Sequence, residues 1–123
     1  EIINVNRAEM DYNTLGYDLS VDSIVSPVLA GNLSESENIT VSISNNGDND
    51  ISNFEISYSV NDTSISTESY TETISSGETV QFTFGATYDF SEVGDYNLTI
   101  SVSLNEDENE SNNTISRRAP KIL

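Results

Sequence analysis

The chain has 123 residues, enough for one domain around a single hydrophobic core, and a formal net charge of −17 at pH 7. It contains no cysteine and no histidine, which excludes disulfides, thiol nucleophiles, histidine-ligated zinc and histidine-dependent catalytic triads. Residues 8–116 hold every acidic residue except Glu1 and contain no Lys or Arg, so nucleic acid and anionic membrane surfaces are not expected as partners.

The sequence also lacks an apolar run long enough for membrane insertion. Dense negative charge is best tolerated where salt or divalent cations screen it, which favours a secreted or cell-surface location. A merely soluble acidic domain is an equally good interpretation of the charge alone. The chain begins at Glu1 without a Met, so we expect a mature protein or a piece of a longer one.

Alternation of apolar and polar residues, the period of a half-buried strand, begins after an irregular N-terminal segment. Residues 1–16 carry no clean period and are expected to be a linker or the tail of a preceding domain. Residues 17–26 predict a first strand that stops at Pro27. Residues 38–44 predict a second strand, and a cluster of Asn, Gly and Asp at residues 45–50 predicts the turn after it.

The middle of the chain predicts further strands separated by turns. Residues 54–60 alternate cleanly and end at the turn residues Asn61 and Asp62. Residues 63–73 are rich in Ser and Thr and hold few apolar residues, so they should form one or two weak edge strands. The inward face of the following strand carries Val80, Phe82 and Phe84.

The clearest strand of the chain covers residues 94–104. Its inward face carries Tyr96, Leu98, Ile100, Val102 and Leu104. An acidic loop follows, and a last strand begins at Thr114. About seven short strands without a competing helical period predict an all-β antiparallel sandwich over residues 17–118, with residues 119–123 as a C-terminal linker.

Five sequence motifs accompany these strands in a fixed order. They are Asp18-Leu19-Ser20-Val21 with Ser26-Pro27, Asn45-Asn46-Gly47, Ser76-Gly77-Glu78 with the strand that reaches Phe84, residues 90–96, and Glu110-Ser111-Asn112-Asn113-Thr114. Together they resemble the CARDB-type domain, the cell-adhesion-related immunoglobulin-like domain of bacteria and archaea. The resemblance implies an immunoglobulin/fibronectin III-like sandwich in a secreted or surface protein, and it implies no catalytic residue.

Tyr96 follows Gly94 and Asp95 at the start of the longest strand, which is the position of the tyrosine corner in immunoglobulin-like sandwiches. In that feature the ring packs inside and the hydroxyl bonds to backbone upstream. We therefore expect a structural role for Tyr96 and not a ligand-binding role.

Two acidic loops supply the carboxylate and amide oxygens that calcium takes as ligands. They follow the second strand and the longest strand, and in an immunoglobulin-like sandwich they emerge at the same end as the N-terminal linker. The candidate calcium ligands are Asp48, Asp50, Glu106, Asp107, Glu108 and Glu110. Neither loop has the spacing of an EF-hand, and a pair of solvated turns is the alternative.

Carbohydrate binding is a further alternative with less support. A glycan platform needs exposed aromatic rings in a row, and the chain has no Trp. Tyr12, Tyr70 and Tyr88 are the only aromatic residues outside the predicted inward rows. Three scattered tyrosines are more typical of ordinary packing.

The sequence as a whole predicts a non-catalytic, monomeric accessory module of a larger secreted or cell-surface protein. Its expected role is to space or dock neighbouring domains of the same protein, or to contribute to adhesion. Paired carboxylates suffice for glycoside hydrolysis, but here they fall on turns and outer faces, so no enzyme activity is expected. The alternative is a ligand-binding module, for calcium-dependent contact with a surface protein or for a glycan.

Overall fold

The computed structural model of the protein describes residues 16–27 and 33–121. These residues form seven strands and one short 3-10 helix, η1. The strands are β1 (Leu19–Ser26), β2 (Thr40–Asn45), β3 (Phe54–Val60), β4 (Thr63–Tyr70), β5 (Thr79–Thr83), β6 (Gly94–Ser103) and β7 (Thr114–Lys121), and η1 covers Glu110–Asn112. Apart from Gly16, the predicted N-terminal linker at residues 1–16 lies outside the described residues.

The described residues form two antiparallel sheets. One has the strand order β1-β2-β5, and the other has the order β4-β3-β6-β7. All neighbouring strands pair antiparallel. The chain crosses between the sheets after β2, β4 and β5, which is the arrangement of a sandwich and not of a simple meander. The predicted all-β immunoglobulin/fibronectin III-like sandwich is confirmed.

The core lies between the sheets because every second residue of the central strands is apolar and points inward. In β6, Leu98, Ile100 and Val102 are buried, and Thr99 and Ser101 between them face the other way. The inward row of β3, the neighbour of β6 in the same sheet, is buried as well, and so are the inward residues of β1 and β2 in the opposite sheet. These residues are Phe54, Ile56, Tyr58 and Val60 in β3, and Leu19, Val21, Ile24, Val41 and Ile43 in β1 and β2. Each large side chain contributes about 1.5–3 kcal/mol on burial.

The predicted weak edge strand is a single strand, β4, at the margin of the four-stranded sheet. Its only aliphatic residue, Ile65, is half-buried, so β4 contributes little to the core. The hairpin that joins β3 to β4 turns at Asn61 and Asp62, with φ of 52° and 69°. Positive φ at both central residues is the signature of a tight hairpin turn, and Asn and Asp tolerate it better than most side chains.

The last strand is longer than the sequence pattern indicated. β7 continues to Lys121, and Ala119 pairs with Tyr96 and is fully buried. Residues 119–121, which the pattern assigned to a C-terminal linker, are therefore part of the sheet. The reason lies in β6, which begins at Gly94 and offers backbone groups as far as that residue for β7 to pair with.

The tyrosine corner forms as predicted. The hydroxyl of Tyr96 donates a 2.8 Å hydrogen bond to the carbonyl oxygen of Glu92. Its half-buried ring packs edge-on against the buried Phe90, with ring centroids 4.9 Å apart. This bond and this contact fix the segment that carries the chain across to the four-stranded sheet before β6 begins.

Candidate functional site

The two acidic loops lie at the same end of the sandwich, and the chain enters β1 between them. We call this region the N-terminal clamp; it consists of residues 16–19, the β2–β3 loop (residues 46–53) and the β6–β7 loop (residues 104–113). The N–H groups of Asn46 and Asn49 donate to the carbonyl oxygens of Asp18 and Gly16, at 2.8 and 3.0 Å. From the other side, the N–H of Glu108 donates to the carbonyl oxygen of Tyr17 at 2.8 Å.

The clamp depends on a glycine in the β2–β3 loop. A Cβ atom on Gly47 would lie 2.7 Å from the carbonyl oxygen of Gly16 and 2.9 Å from the nitrogen of Asp18. Those distances are too short for any side chain, so only glycine lets the loop approach the entering chain this closely. The N–H of Gly47 donates to Oδ1 of the fully buried Asn45 at 3.0 Å, which holds the loop in place.

Asp107 is the one predicted calcium ligand that is buried. Its side chain is 8 % exposed, and Oδ2 accepts a 2.9 Å hydrogen bond from the N–H of Leu19. Oδ1 accepts a 2.7 Å bond from the N–H of Asn109. Asp107 therefore fastens its own loop and the first residue of β1 together. Its carboxylate makes no ion pair with a Lys or Arg among the described residues, where the one ion pair joins Arg118 to Asp95 at 3.0 Å.

The other five predicted ligands are exposed: Asp48, Asp50, Glu106, Glu108 and Glu110. Two of them hold backbone N–H groups, since Asp50 accepts from Ser76 at 3.1 Å and Glu108 accepts from Gly16 at 3.3 Å. Within residues 16–27 and 33–121, no group of three or more acidic side chains is placed so that it could hold a metal ion. The six-residue calcium site stays a prediction.

Three polar residues of the clamp were not among the predicted ligands. Asp18 is 7 % exposed, and its Oδ1 accepts a 2.9 Å bond from Nδ2 of Asn112. Asn113 is 8 % exposed, and the NH₂ group of its side-chain amide donates to the carbonyl oxygen of Leu19 at 2.6 Å and to Oδ2 of Asp107 at 3.0 Å. The sequence feature that could have indicated these residues is the Asn112-Asn113 pair. Asn side chains beside acidic residues often form hydrogen bonds with nearby backbone and so order a loop.

The comparison with protein families decides what kind of module carries this clamp. The family model for CARDB matches residues 16–117. This chain belongs to the CARDB family. The match begins at Gly16, the first residue of the clamp, and ends at Arg117 in β7.

Solved CARDB structures share the fold. The solution structure of a CARDB domain from Pyrococcus furiosus is similar with a TM-score of 0.69 and 20% identity, covering 89% of this chain and 99% of that one. The crystal structure of that domain in complex with di-metal ions has a TM-score of 0.71 and 19% identity, covering 89% and 92%. At these identities the likeness establishes the fold.

A third solved structure adds a cellular context for the family. It is a domain of a presumed cell-surface protein from Methanosarcina acetivorans, with a TM-score of 0.69 and 25% identity, covering 88% of this chain and 94% of that one. No curated protein matches this CARDB domain significantly. Its described residues include no helix that is long and apolar enough to cross a bilayer.

The tyrosines considered for glycan binding pack within the CARDB domain. Tyr70 is half-buried and stacks on Phe54, with ring centroids 5.0 Å apart. Tyr88 is half-buried and lies against Phe90, with ring centroids 4.8 Å apart. These two rings belong to different aromatic clusters and do not form an exposed row. Tyr12 lies outside the described residues.

At the open edge between β1 and β7, the CARDB domain carries an inward-facing cation that the sequence pattern did not reveal. The guanidinium of Arg117 donates to the carbonyl oxygens of Ile24, at 2.9 Å, and of Pro27. Its Nε is buried without a hydrogen-bond partner. Burial lowers the pKa of Arg117 from its ordinary value. The residue ties the last strand to the first, so its role is structural.

Proposed function

We propose that this CARDB domain is a non-catalytic accessory module of a larger secreted or cell-surface protein, in which it fixes the orientation of a neighbouring domain. One observation carries the proposal. The chain segment that enters the sandwich is hydrogen-bonded on both sides, to the β2–β3 loop and to the β6–β7 loop, before β1 begins. Residues 16–18 of the incoming chain are therefore held against the sandwich, which supports a defined direction for a domain attached ahead of them.

The bonds of the clamp support a stiff junction. Four of them use backbone groups of residues 16–19, and their partners are backbone N–H groups of the two loops and the buried carboxylate of Asp107. A flexible Gly/Ser linker has no such partners and samples many orientations. The β6–β7 loop binds the incoming chain of its own domain. This arrangement suits a role in spacing or docking a neighbouring domain and not a role in catalysis.

Two observations support a location outside the cell: the net charge of the chain and its similarity to a domain of a cell-surface protein. The chain has 21 acidic residues and only 4 basic ones, a balance that salt or divalent cations outside the cell would screen. The similar Methanosarcina domain comes from a presumed cell-surface protein. We propose the same kind of location for this chain, and we propose that the isolated domain is a monomer.

The absence of enzymatic activity is part of the proposal. The two buried carboxylates, Asp18 and Asp107, accept hydrogen bonds from Asn112 and from the backbone of the clamp. A general acid or base has to be free to exchange a proton with a substrate. Both carboxylates are occupied by these hydrogen bonds, and Glu106 and Glu110 line depressions that are open to solvent.

The test uses the complete polypeptide in which the domain occurs. Small-angle X-ray scattering compares the unmodified protein with a version whose residues 16–121 are replaced by a Gly/Ser linker of equal span, and with Asp107→Ala. We expect the distribution of interdomain distances to broaden in both altered proteins. An unchanged distribution in both would contradict the proposal, because neither the sandwich nor the clamp would then set the orientation.

A second candidate function is metal-dependent contact with a surface protein. It is favoured by the Pyrococcus furiosus CARDB domain that was solved in complex with di-metal ions. In this chain, calcium is the cation that suits the oxygen-rich loops of the clamp, with the six predicted acidic residues as candidate ligands. No comparable observation favours carbohydrate.

A further inference from the structure

The clamp contains the one Asn-Gly pair of the chain, Asn46-Gly47. In such a pair the main-chain nitrogen of the glycine can attack the side-chain amide carbon of the asparagine, because glycine has no side chain that shields its nitrogen. The attack leads to deamidation and requires no partner except water. Whether it occurs in a folded protein depends on whether the nitrogen and the amide are free to meet.

The fold requires the glycine of this pair. A Cβ atom at residue 47 would lie 2.7 Å from the carbonyl oxygen of Gly16 and 3.0 Å from the carbonyl carbon of the same residue. No other residue fits there without moving the entering chain. Gly47 is buried, whereas Asn46 is exposed, so water reaches the reactive amide.

Hydrogen bonds hold both peptide groups of Gly47. Its N–H donates to Oδ1 of Asn45 at 3.0 Å, and its carbonyl oxygen accepts from Oγ of Ser76 at 2.6 Å. Asn45 is fully buried, and its Nδ2 donates to the carbonyl oxygens of Asn49 and Ile74 at 2.8 and 2.9 Å. The proton that the glycine nitrogen has to lose before it attacks therefore lies in a buried and fixed hydrogen bond.

Asn46 is held separately, on the first strand. Its main-chain N–H donates to the carbonyl oxygen of Asp18 at 2.8 Å. Its side-chain Nδ2 donates to Oγ of Ser20 in β1 at 3.0 Å, and Ser20 is 3 % exposed. The amide and the nitrogen of Gly47 thus have different partners, and both hydrogen bonds have to break before the two groups can react.

We propose that Asn46 is a deamidation site that the closed clamp protects, and that reaction after opening makes the opening permanent. The nitrogen of Gly47 loses its proton and bonds to Cγ of Asn46. The bond from Cγ to Nδ2 breaks, and Nδ2 takes up the proton and leaves as ammonia. One water molecule then opens the resulting five-membered imide and yields either aspartate or isoaspartate.

The isoaspartate product would not fit the clamp. It adds one methylene group to the main chain between residues 46 and 47, where the N–H of Asn46 bonds to Asp18 and Gly47 passes close to Gly16. A longer main chain cannot keep both contacts. The inference deepens the proposed function and rests on it, because the clamp is what holds the incoming chain.

The experiment follows deamidation of Asn46 in the full chain by peptide mass spectrometry, with a separate assay for isoaspartate. It compares the folded chain with the chain unfolded in urea, at the same mildly alkaline pH and temperature. We expect the folded chain to react at least about tenfold more slowly, because reaction requires local opening. Equal rates, or no reaction in urea, would overturn the proposal.

Two variants test the clamp as the protecting element. Ser20→Ala releases the amide of Asn46, and Asp107→Ala opens the clamp from the β6–β7 loop without removing any bond of Asn46 or Gly47. Each should speed deamidation at least about threefold. Circular dichroism establishes that each variant is folded, and Ser20→Ala carries the test if Asp107→Ala unfolds.

Ser116→Ala is the matched control. It removes a hydroxyl that bonds Thr99 at 2.9 Å on the exposed face of the four-stranded sheet, so the deamidation rate should stay within about twofold of the unmodified chain. A folded clamp variant that reacts no faster than this control would overturn the protection.

A last comparison tests whether the opening is permanent. The isoaspartyl chain, made in urea, purified and refolded, is compared with Asn46→Asp, which adds the charge without the extra methylene. Hydrogen exchange at the N–H of Leu19 should be at least about threefold faster in the isoaspartyl chain. Equal exchange would overturn this part of the proposal. If the folded and unfolded chains deamidate equally fast while scattering still shows a held junction, then the protected site fails and the proposed function stands.

Discussion

The main-chain N–H of Leu19 donates a 2.9 Å hydrogen bond to Oδ2 of Asp107, a residue 88 positions further along the chain. The bond joins the first residue of β1 to the loop before β7, and both ends are buried. It closes the end of the sandwich where the chain enters. Because its two residues lie 88 positions apart and close the sandwich, it should form only when the whole domain is folded.

Asp107→Ala should therefore be strongly destabilising. The substitution leaves the buried N–H of Leu19 without an acceptor and also frees the N–H of Asn109, and an unsatisfied buried group costs about 1–3 kcal/mol. Urea denaturation in EDTA measures the loss without any contribution from a cation. Glu106→Ala is the matched control. Glu106 precedes Asp107 and is exposed, so this substitution should change the free energy of unfolding by less than about 0.5 kcal/mol. Equal losses in the two variants would argue against this bond.

Tyr96→Phe tests the tyrosine corner. The change keeps the ring against Phe90 and removes only the hydrogen bond to Glu92, so the free energy of unfolding should fall by about 0.5–1.5 kcal/mol. Tyr70→Phe serves as the control, because the hydroxyl of Tyr70 makes no hydrogen bond within residues 16–27 and 33–121. Denaturant midpoints give the comparison, and a larger loss in the control would contradict the assigned role.

Arg117→Met should destabilise the domain by about 1–3 kcal/mol. It removes the guanidinium that bonds the carbonyl oxygens of Ile24 and Pro27, and both acceptors then lose a charged donor in a partly buried position. Arg118→Met removes the neighbouring cation, whose ion pair with Asp95 is exposed on both sides and worth about 1 kcal/mol at most. Equilibrium unfolding of the two variants should rank them in this order.

Gly47→Ala should open the clamp. The added methyl group would overlap the backbone of residues 16 and 18, which cannot move away as a flexible side chain could, and overpacking of this kind costs about 1–3 kcal/mol. Hydrogen exchange should then speed up at the N–H of Leu19 more than in β3. Gly85→Ala is the control, since its methyl group would meet Glu68 at an ordinary 3.5 Å. Unchanged exchange at Leu19 would contradict the close approach.

Asp89 offers a test by pH. The hydroxyl and the N–H of Ser91 donate to its carboxylate, at 2.6 and 2.8 Å, and these bonds lower the pKa of Asp89. A carboxyl with a lowered pKa stabilises the fold above its unfolded pKa, and this stabilisation is lost as pH falls through the folded value. Ser91→Ala should raise the pKa of Asp89 toward its ordinary value, as an NMR titration would show. A pKa that does not move would exclude the hydroxyl as a cause.

The strands could be predicted because their information is local. Leu98, Ile100 and Val102 alternate with polar residues, and burial of one face of a strand requires only that period. The tyrosine corner was also predictable, since its partners Tyr96 and Glu92 lie four residues apart. The end of β7 was not, because residues 119–121 have no alternation of their own and pair where β6 offers them partners.

The candidate site was likewise predictable from the sequence only in part. Composition and spacing determined by themselves that two acidic loops follow the second and the longest strands, and that they belong to a cysteine-free and histidine-free sandwich. Only the tertiary structure decided which of the acids turn inward. It buries Asp107 and Asp18 and places Asn112 and Asn113 beside them, while Asp48 and Glu106 stay in water. The physical reason is distance along the chain: a carboxylate in the last loop finds its backbone partner at the start of β1, and no local pattern can encode a contact that folding alone brings together.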